Sequence, residues 1–169
     1  MKTALPLPEL SELRSQFSYD PNEGVVRWGV RRSGVKFGDR AGRPAPDGHI
    51  SIVLNRRHIL AHRVAWKMHY GVDPPSVIDH INGDPADNRI VNLRPATPAQ
   101  NGANRSISTR NATGVKGVSF DRQTKKYRAS IRVNGSLVAL GRFSSLEDAA
   151  AARRKAELDY FGNFSRRAA

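Results

Sequence analysis

Short runs of hydrophobic residues recur along the first part of the chain, and their spacing alternates between helical and strand-like periods. Apolar residues within 10–17 follow a helical spacing and predict one short helix. Alternating and β-branched segments then predict two hairpins, the first over 17–28 and the second over 49–60. The basic, glycine-rich residues 29–48 between them predict a loop, which is either solvated surface or an arm that follows DNA phosphates.

The middle of the chain changes from a helical pattern to a strand-like one. Apolar residues at i, i+3, i+4 and i+7 predict a helix over 61–71, with Gly71 as its stop. The elements predicted next are a strand beginning at Val77–Ile78, a loop over 82–88, a returning strand over 90–93 and a helix. That helix begins at Thr97, because Pro98 and Gln100 stand at the first helical and capping-box positions.

The last third of the chain has the pattern of a small sheet. Residues 106–113 are polar without periodicity and predict a linker. Three strands follow, over 115–120, 126–133 and 137–143, and the last two are joined by the turn Asn134–Gly135.

Side chains alternate along the middle strand of that sheet. Arg128, Ser130 and Arg132 are predicted to face away from the apolar side. A helix capped by residues 144–147 is expected to cover the apolar side with alanine and leucine side chains. The sheet would therefore present a basic, exposed outer face, although a merely solvated polar face would have the same pattern.

The net charge of the chain indicates which class of partner it binds. The 169 residues, enough for one ordinary domain or two small ones, include 28 Lys and Arg against 15 Asp and Glu, a net charge of +13. Residues 1–112 carry +6 and residues 113–169 carry +7, so the positive charge is denser toward the C-terminal end. This balance is typical of nucleic-acid-binding proteins, and a membrane-surface or ribosomal role would share it.

Two absences narrow the class of protein further. The sequence has no cysteine, which excludes disulfides and thiolate zinc sites. Charged residues interrupt every apolar run, and Met1–Thr3 is not followed by an apolar signal region. We therefore expect a protein without membrane association that works in a cytoplasm-like compartment.

Candidate chemistry is concentrated in the polar stretch that begins at Asp79. Hydrolysis of a phosphodiester needs a base for water and a cation that neutralises charge on the phosphate and the departing oxygen. His80 titrates near neutrality and suits the first task. Asp79 and Asn101 offer oxygen ligands that suit Mg²⁺ or Mn²⁺.

The motif composed of these residues resembles that of HNH endonucleases of the phage and group I intron homing type. The resemblance covers residues 17–105 and rests on the segments Asp79–Asp84, Asp87–Arg89, Asn92–Arg94 and Gln100–Asn101. It implies a ββα-metal fold in which His80 is the general base and Asn92 holds the two arms of the loop together. It also implies one divalent cation on Asp79 and Asn101, although many family members have His at the latter position.

The remaining polar residues of this region have ordinary structural explanations. The loop residues Asn82, Asp84, Asp87 and Asn88 are those that any turn-rich loop uses. His62 and Arg63 are open to two interpretations, contact with the phosphate or local helix-start structure. The other histidines show no ligand spacing, and we expect His49, His58 and His69 to be structural.

Residues 114–165 resemble the AP2/ERF-type DNA-binding domain that is often appended to phage HNH nucleases. The resemblance rests on Gly117–Val118, the middle strand, Leu140–Phe143, the alanine-rich helix and Gly162–Phe164. It implies that Lys116 and Arg132 lie where plant members place DNA-contacting arginines. The full set of predicted DNA-binding residues is Arg105, Lys116, Arg122, Lys125, Lys126, Arg128, Ser130 and Arg132.

The sequence therefore predicts an α+β protein with an HNH nuclease domain over 1–105 and an AP2-like sheet-plus-helix domain over 114–165. The expected function is metal-dependent, site-selective cleavage of double-stranded DNA, by nicking or double-strand cutting, in a phage or bacterial host cytoplasm. No obligate protein partner is evident. The rival hypotheses are a non-catalytic DNA-binding regulator that retains the HNH scaffold and a basic RNA-binding protein.

Overall fold

Several small antiparallel sheets and four α-helices make up the part of the chain that the computed structural model describes, residues 6–104, 107 and 111–164. The chain divides into two compact units, Met1–Ala96 and Thr97–Ala169. The first unit contains, in order, α1 (Leu10–Gln16), β1 (Phe17–Asp20), β2 (Val25–Trp28), β3 (Arg43–Pro44), β4 (Ile50–Leu54), β5 (Arg57–Leu60), α2 (Ala61–Tyr70), β6 (Val77–His80), a 3₁₀ turn (Ile90–Asn92) and β7 (Leu93–Ala96). The second contains α3 (Pro98–Asn104), β8 (Val118–Asp121), β9 (Lys126–Val133), β10 (Ser136–Phe143), α4 (Leu146–Phe161) and a 3₁₀ turn (Gly162–Phe164).

Both predicted hairpins of the first unit are confirmed. Strand β1 pairs antiparallel with β2, and β4 pairs antiparallel with β5. Asn55 and Arg56 form the second turn with positive φ angles of 50° and 61°, the twist that two-residue hairpin loops require. The prediction of a loop over 29–48 is wrong for Arg43–Pro44, because these residues form β3, which pairs with β4 as a third strand. Two residues are too short for any periodicity to be visible in the sequence.

Helix α2 lies between the sheets of the first unit and packs on both sides. Val64 is fully buried with the residues of β4 and β5, as the helical spacing predicts. Ala65 and Trp66 pack instead against Ile78 and Leu93, one from each strand of the β6–β7 pair. The helix ends at Gly71, whose φ of 76° closes the last turn.

The returning strand lies further along the chain than the sequence predicts. Residues 90–92 form a 3₁₀ turn, and the strand paired with β6 is β7. Val91 is 76% exposed, so the apolar run that suggested a strand does not face the core. The turn directs the Asn92 side chain inward, where it is buried.

The second unit has the sheet order β10-β9-β8 with α4 on one face. Burial alternates along β9 as predicted, with Ala129 and Ile131 buried and Arg128 and Arg132 exposed. Ser145 is the N-cap of α4, and its hydroxyl accepts a hydrogen bond from the Asp148 N–H at 3.1 Å. Among the described residues, no helix has the length and apolar character needed to cross a membrane.

Helix α3 belongs to the second unit and has the predicted capping box. Thr97 N–H donates to Gln100 Oε1 at 2.8 Å, and Gln100 N–H donates to Thr97 Oγ1 at 3.2 Å. Ala99 packs against the core residues Ile131 and Phe161, and Lys116 Nζ donates to the Gly102 carbonyl at 2.8 Å. These contacts explain why the division between the units falls before α3, whereas the sequence placed a linker at 106–113.

Gly24 allows the β1–β2 turn to approach the loop between β6 and β7. Its φ is 70°, and a Cβ atom there would lie 2.3 Å from Arg89 N and 2.6 Å from the Asn88 carbonyl carbon. We expect Gly24→Ala to lower the free energy of unfolding by about 2–4 kcal/mol, from backbone strain and overpacking together. Urea denaturation followed by tryptophan fluorescence measures this, since Trp28 and Trp66 both lie in the first unit.

Gly34→Ala is the matched control for this substitution. Gly34 has nearly the same φ, 74°, but nothing lies within 4 Å of its added Cβ. The control should therefore show the backbone strain alone, about 1–2 kcal/mol. Equal losses for the two variants would mean that the close approach to Asn88 and Arg89 does not matter.

Candidate active site

Asn92 is buried inside the loop between β6 and β7 and hydrogen-bonds to both arms of that loop. Its Oδ1 accepts from the Asn82 N–H at 2.9 Å, and its Nδ2 donates to Asn82 Oδ1 at 3.0 Å and to the Asp87 carbonyl at 2.8 Å. The Ile81 N–H donates to the Asn92 carbonyl at 2.9 Å. One buried carboxamide therefore connects both arms of the loop.

Asn88 holds the ring of His80. Both residues are buried, and His80 Nε2 lies 3.1 Å from Asn88 Oδ1. Because a carboxamide oxygen only accepts, Nε2 must be the protonated nitrogen, and the neutral ring carries its lone pair on Nδ1. Asn88 is itself held from the β1–β2 hairpin, where Tyr19 Oη donates to its carbonyl at 2.8 Å.

Two further imidazoles lie against His80. The ring centroids of His62 and His80 are 5.1 Å apart and nearly perpendicular, and those of His49 and His80 are 5.6 Å apart. His49 and His62 are themselves 5.2 Å apart. Each of the three rings offers a nitrogen, and these three nitrogens lie within 4.8 Å of one another.

The hairpin of β4 and β5 explains why His49 and His62 meet. Ser51 pairs with Leu60 at the open end of this hairpin. His49 stands two residues before Ser51, and His62 stands two residues after Leu60 at the start of α2. The two histidines are therefore equally far from the turn, and antiparallel pairing brings them to the same end of the sheet.

Burial favours the neutral forms of His62 and His80. It lowers the pKa of His62 to about 3, and the neighbouring His80 and His49 rings lower it further. Burial also lowers the pKa of His80, against the opposite effect of its hydrogen bond to Asn88. A neutral imidazole has a lone pair, so His80 has the protonation state that a general base needs near neutral pH.

Asp79 is buried beside His80 and forms an ion pair across the β6–β7 pair. Its Oδ2 accepts from Arg94 Nε and Nη2, each at 2.8 Å. The carboxylate oxygen is the donor type that Mg²⁺ and Mn²⁺ prefer, so the residue fits a hard divalent cation. The Arg94 guanidinium would compete with that cation for the same oxygen.

Asn101, the other predicted metal ligand, lies in α3 of the second unit and is partly buried. Its backbone N–H donates to the Thr97 carbonyl at 2.9 Å. Its predicted role as a ligand stays a prediction. Arg105, predicted to bind DNA, lies outside the described residues.

The predicted DNA-binding residues of the second unit lie on β9, in the β8–β9 turn and before β8. Arg122, Lys125, Lys126, Arg128 and Arg132 are exposed, whereas Lys116 and Ser130 are partly buried. Arg128 forms an ion pair with Asp121, and Arg132 Nη1 donates to the Gly135 carbonyl at 2.8 Å. Arg142 on β10 pairs with Arg128 in register and adds to the basic face, a residue that the sequence prediction left out.

Of three residues close to His80, His49 and Asn88 were assigned structural roles from the sequence, and His62 was left open between phosphate contact and local structure. His49 and His62 contact its ring, and Asn88, taken as ordinary loop chemistry, is its hydrogen-bond partner. The equal distance of His49 and His62 from the hairpin turn was the available signal for the first two. By contrast, His58 hydrogen-bonds to Ser51 at 3.1 Å, and the His69 ring lies edge-to-face against Tyr70.

Residues 60–103 match the HNH endonuclease family, so this segment is an HNH endonuclease domain. The match includes His80, Asn88 and Asn92 and ends before β8. The AP2/ERF-like character of residues 114–165 therefore stays a prediction.

Protein 3.8 of Escherichia phage T7 is similar to the chain, with 33% identity over 81 residues. That alignment covers 47% of this chain and 64% of the phage protein, so the chain spans less than two thirds of its relative's length. No solved structure matches the chain significantly.

We expect Asn92→Ala to destabilise the first unit, because it leaves the partners of three hydrogen bonds unsatisfied. The free energy of unfolding should fall by about 1–3 kcal/mol. Urea denaturation with tryptophan fluorescence measures the loss. Asn22→Ala, the same change at an exposed turn position, should stay within about 0.5 kcal/mol of the parent protein. If Asn92→Ala lowers the free energy of unfolding no more than the control does, the three hydrogen bonds of Asn92 do not stabilise the loop.

Proposed function

We propose that the protein is a metal-dependent, site-selective DNA endonuclease of the homing type. It hydrolyses phosphodiester bonds of double-stranded DNA, by nicking one strand or cutting both. The observation that carries this proposal is the buried, neutral His80, held by Asn88 at 3.1 Å within an HNH endonuclease domain. A neutral histidine has a ring lone pair and can accept a proton.

In the proposed reaction His80 takes a proton from water at Nδ1. The water oxygen attacks phosphorus, and the bond from phosphorus to the 3′ oxygen breaks. The departing oxygen takes a proton from solvent, which leaves 5′-phosphate and 3′-hydroxyl ends. Asn88 fixes the tautomer that presents Nδ1 as the acceptor, so it is a positioning residue. Asn92 positions Asn88 indirectly, through the carbonyl of the preceding Asp87.

A cation held by Asp79, with Asn101 as the ligand that the family resemblance adds, would neutralise charge on the phosphate and the departing oxygen. Asp79 precedes His80 in β6, and its charge raises the pKa of His80, although burial lowers that pKa by more. Its partner Arg94 is a further positive group beside the carboxylate. The oxygen donors favour Mg²⁺ or Mn²⁺.

The second unit is proposed to hold the DNA, as its AP2-like pattern suggests. Arg132 and Arg142 are exposed on the sheet face that α4 does not cover, and Arg128 lies directly opposite Arg142 in the register of β9 and β10. A basic strand face of this size suits a DNA groove, where arginine contacts phosphates and guanine edges.

One observation favours the alternative, a DNA-binding regulator that has lost catalysis. Asp79 already has its charge balanced by Arg94, in a buried pair with two contacts of 2.8 Å. If that pair persists in the presence of metal, Arg94 keeps Asp79 Oδ2 from the cation. Cleavage assays separate the two functions directly.

Supercoiled plasmid incubated with the protein and Mg²⁺ or Mn²⁺ should be nicked or linearised, and EDTA should stop the reaction. We expect His80→Ala to reduce the rate by about 10²–10⁴-fold, because the general base is lost. His69→Ala is the matched control, since His69 is an exposed histidine of α2 that contacts only Tyr70 among the rings described.

Cleavage by His80→Ala at the parent rate would show that His80 is not the base. DNA binding without metal-dependent cleavage by the parent protein would favour the regulator. Mapping the ends produced on a DNA library would give the strand count and the recognition sequence together.

Arg132→Ala tests the proposed DNA-binding face. We expect binding to duplex DNA to weaken by about 1–3 kcal/mol, and the slope of log K against log salt to fall by about 1. Titrations of labelled duplex at several salt concentrations measure both quantities. Arg154→Ala removes the same charge from an exposed position on α4, on the other side of the sheet. An equal effect from the control would mean that the unit attracts DNA by net charge alone.

A further inference from the structure

The proposed hydrolysis uses only His80 of three neighbouring histidines, His49, His62 and His80. The reaction needs one of these imidazoles, whereas the fold brings three of them together, one from the residue before β4, one from α2 and one from β6. His49 also lies outside the segment that matches the HNH family. We propose that the three histidines bind one borderline divalent cation of the Zn²⁺ class, at a nitrogen site separate in its donors from the oxygen site for Mg²⁺.

The distances are close to those of a tri-histidine site. Tetrahedral Zn²⁺ with bonds of about 2.0–2.1 Å places its ligand nitrogens roughly 3.3 Å apart. The three nitrogens here lie within 4.8 Å of one another, so small rotations of the rings close the gap. Three histidines leave the fourth position of a tetrahedral ion for water.

The surroundings of the rings also suit a cation. His62 is 5% exposed, and its Nδ1 is a buried polar atom with no hydrogen-bond partner in the described part of the chain. A buried nitrogen without a partner carries a free-energy cost that a metal ligand bond would remove. His49 Nδ1 lies 3.1 Å from Asp47 Oδ2, although without the alignment of a hydrogen bond. A carboxylate behind a ligand imidazole is the usual outer support of a metal site.

Donor type decides which ion binds. Imidazole nitrogen favours Zn²⁺, Ni²⁺ or Cu²⁺ over Mg²⁺, which prefers oxygen. An ion on the three histidines occupies a ring nitrogen of His80, so His80 can no longer act as a base. On the proposed function, Zn²⁺ is therefore an inhibitor that does not compete for the oxygen ligands of Mg²⁺.

Zn²⁺ binding is tested on the full chain without DNA. Metal-free protein is titrated with Zn²⁺ against a chromophoric chelator, and Co²⁺ is used as a spectroscopic probe of nitrogen coordination. We expect one Zn²⁺ per chain, unaffected by millimolar Mg²⁺. His49→Ala and His62→Ala should weaken binding by more than about 10-fold, the effect of losing even an outer support. His69→Ala and His58→Ala should bind Zn²⁺ as the parent does.

His49 is only partly buried, so His49→Ala remains informative if His62→Ala fails to fold, which circular dichroism reports. Absence of Zn²⁺ binding by the parent, or unchanged affinity in folded His49→Ala, overturns the inference. Zn²⁺ inhibition of plasmid cleavage that is weaker in His49→Ala supports the link to His80. Zn²⁺ binding is measured without DNA, so the two proposals can fail separately. If the protein binds Zn²⁺ but does not cleave DNA, only the proposed function is contradicted. If it cleaves DNA but binds no Zn²⁺, only this inference is contradicted.

Discussion

The hydrogen bond between His80 and Asn88 is the contact on which the candidate site depends. A buried imidazole has two neutral tautomers, and only an acceptor of fixed position selects one of them. The 3.1 Å contact from Nε2 to Oδ1 makes that selection. Without it, His80 would still be buried and neutral, but the nitrogen that carries the lone pair would not be fixed.

The first unit supports Asn88 from several directions. Tyr19 donates to its carbonyl, Gly24 lets the β1–β2 turn lie against its backbone, and Asn92 binds the carbonyl of the residue before it. The Ile90 N–H then donates to the Pro21 carbonyl at 3.1 Å just beyond it. The N-terminal hairpin therefore helps to hold the candidate site in place.

Local patterns predicted the elements well and the tertiary contacts poorly. The capping box at Thr97, the Asn134–Gly135 turn and the alternation of β9 depend on neighbours within a few residues, so the sequence shows them directly. The returning strand was placed too early because Val91 is apolar yet exposed. Asn88 could not be separated from the other loop carboxamides, since its burial depends on Tyr19, which is distant in sequence.

The symmetric placement of His49 and His62 about the β4–β5 turn has a consequence for how such a chain can vary. Residues added in equal number to both arms, or to the turn itself, move the far tip of the hairpin and leave the two rings opposite each other. A single insertion in one arm reverses the facing of every residue beyond it and separates the rings. Natural length changes in this hairpin should therefore be equal in its two arms or confined to its tip, which leaves the neighbourhood of His80 intact.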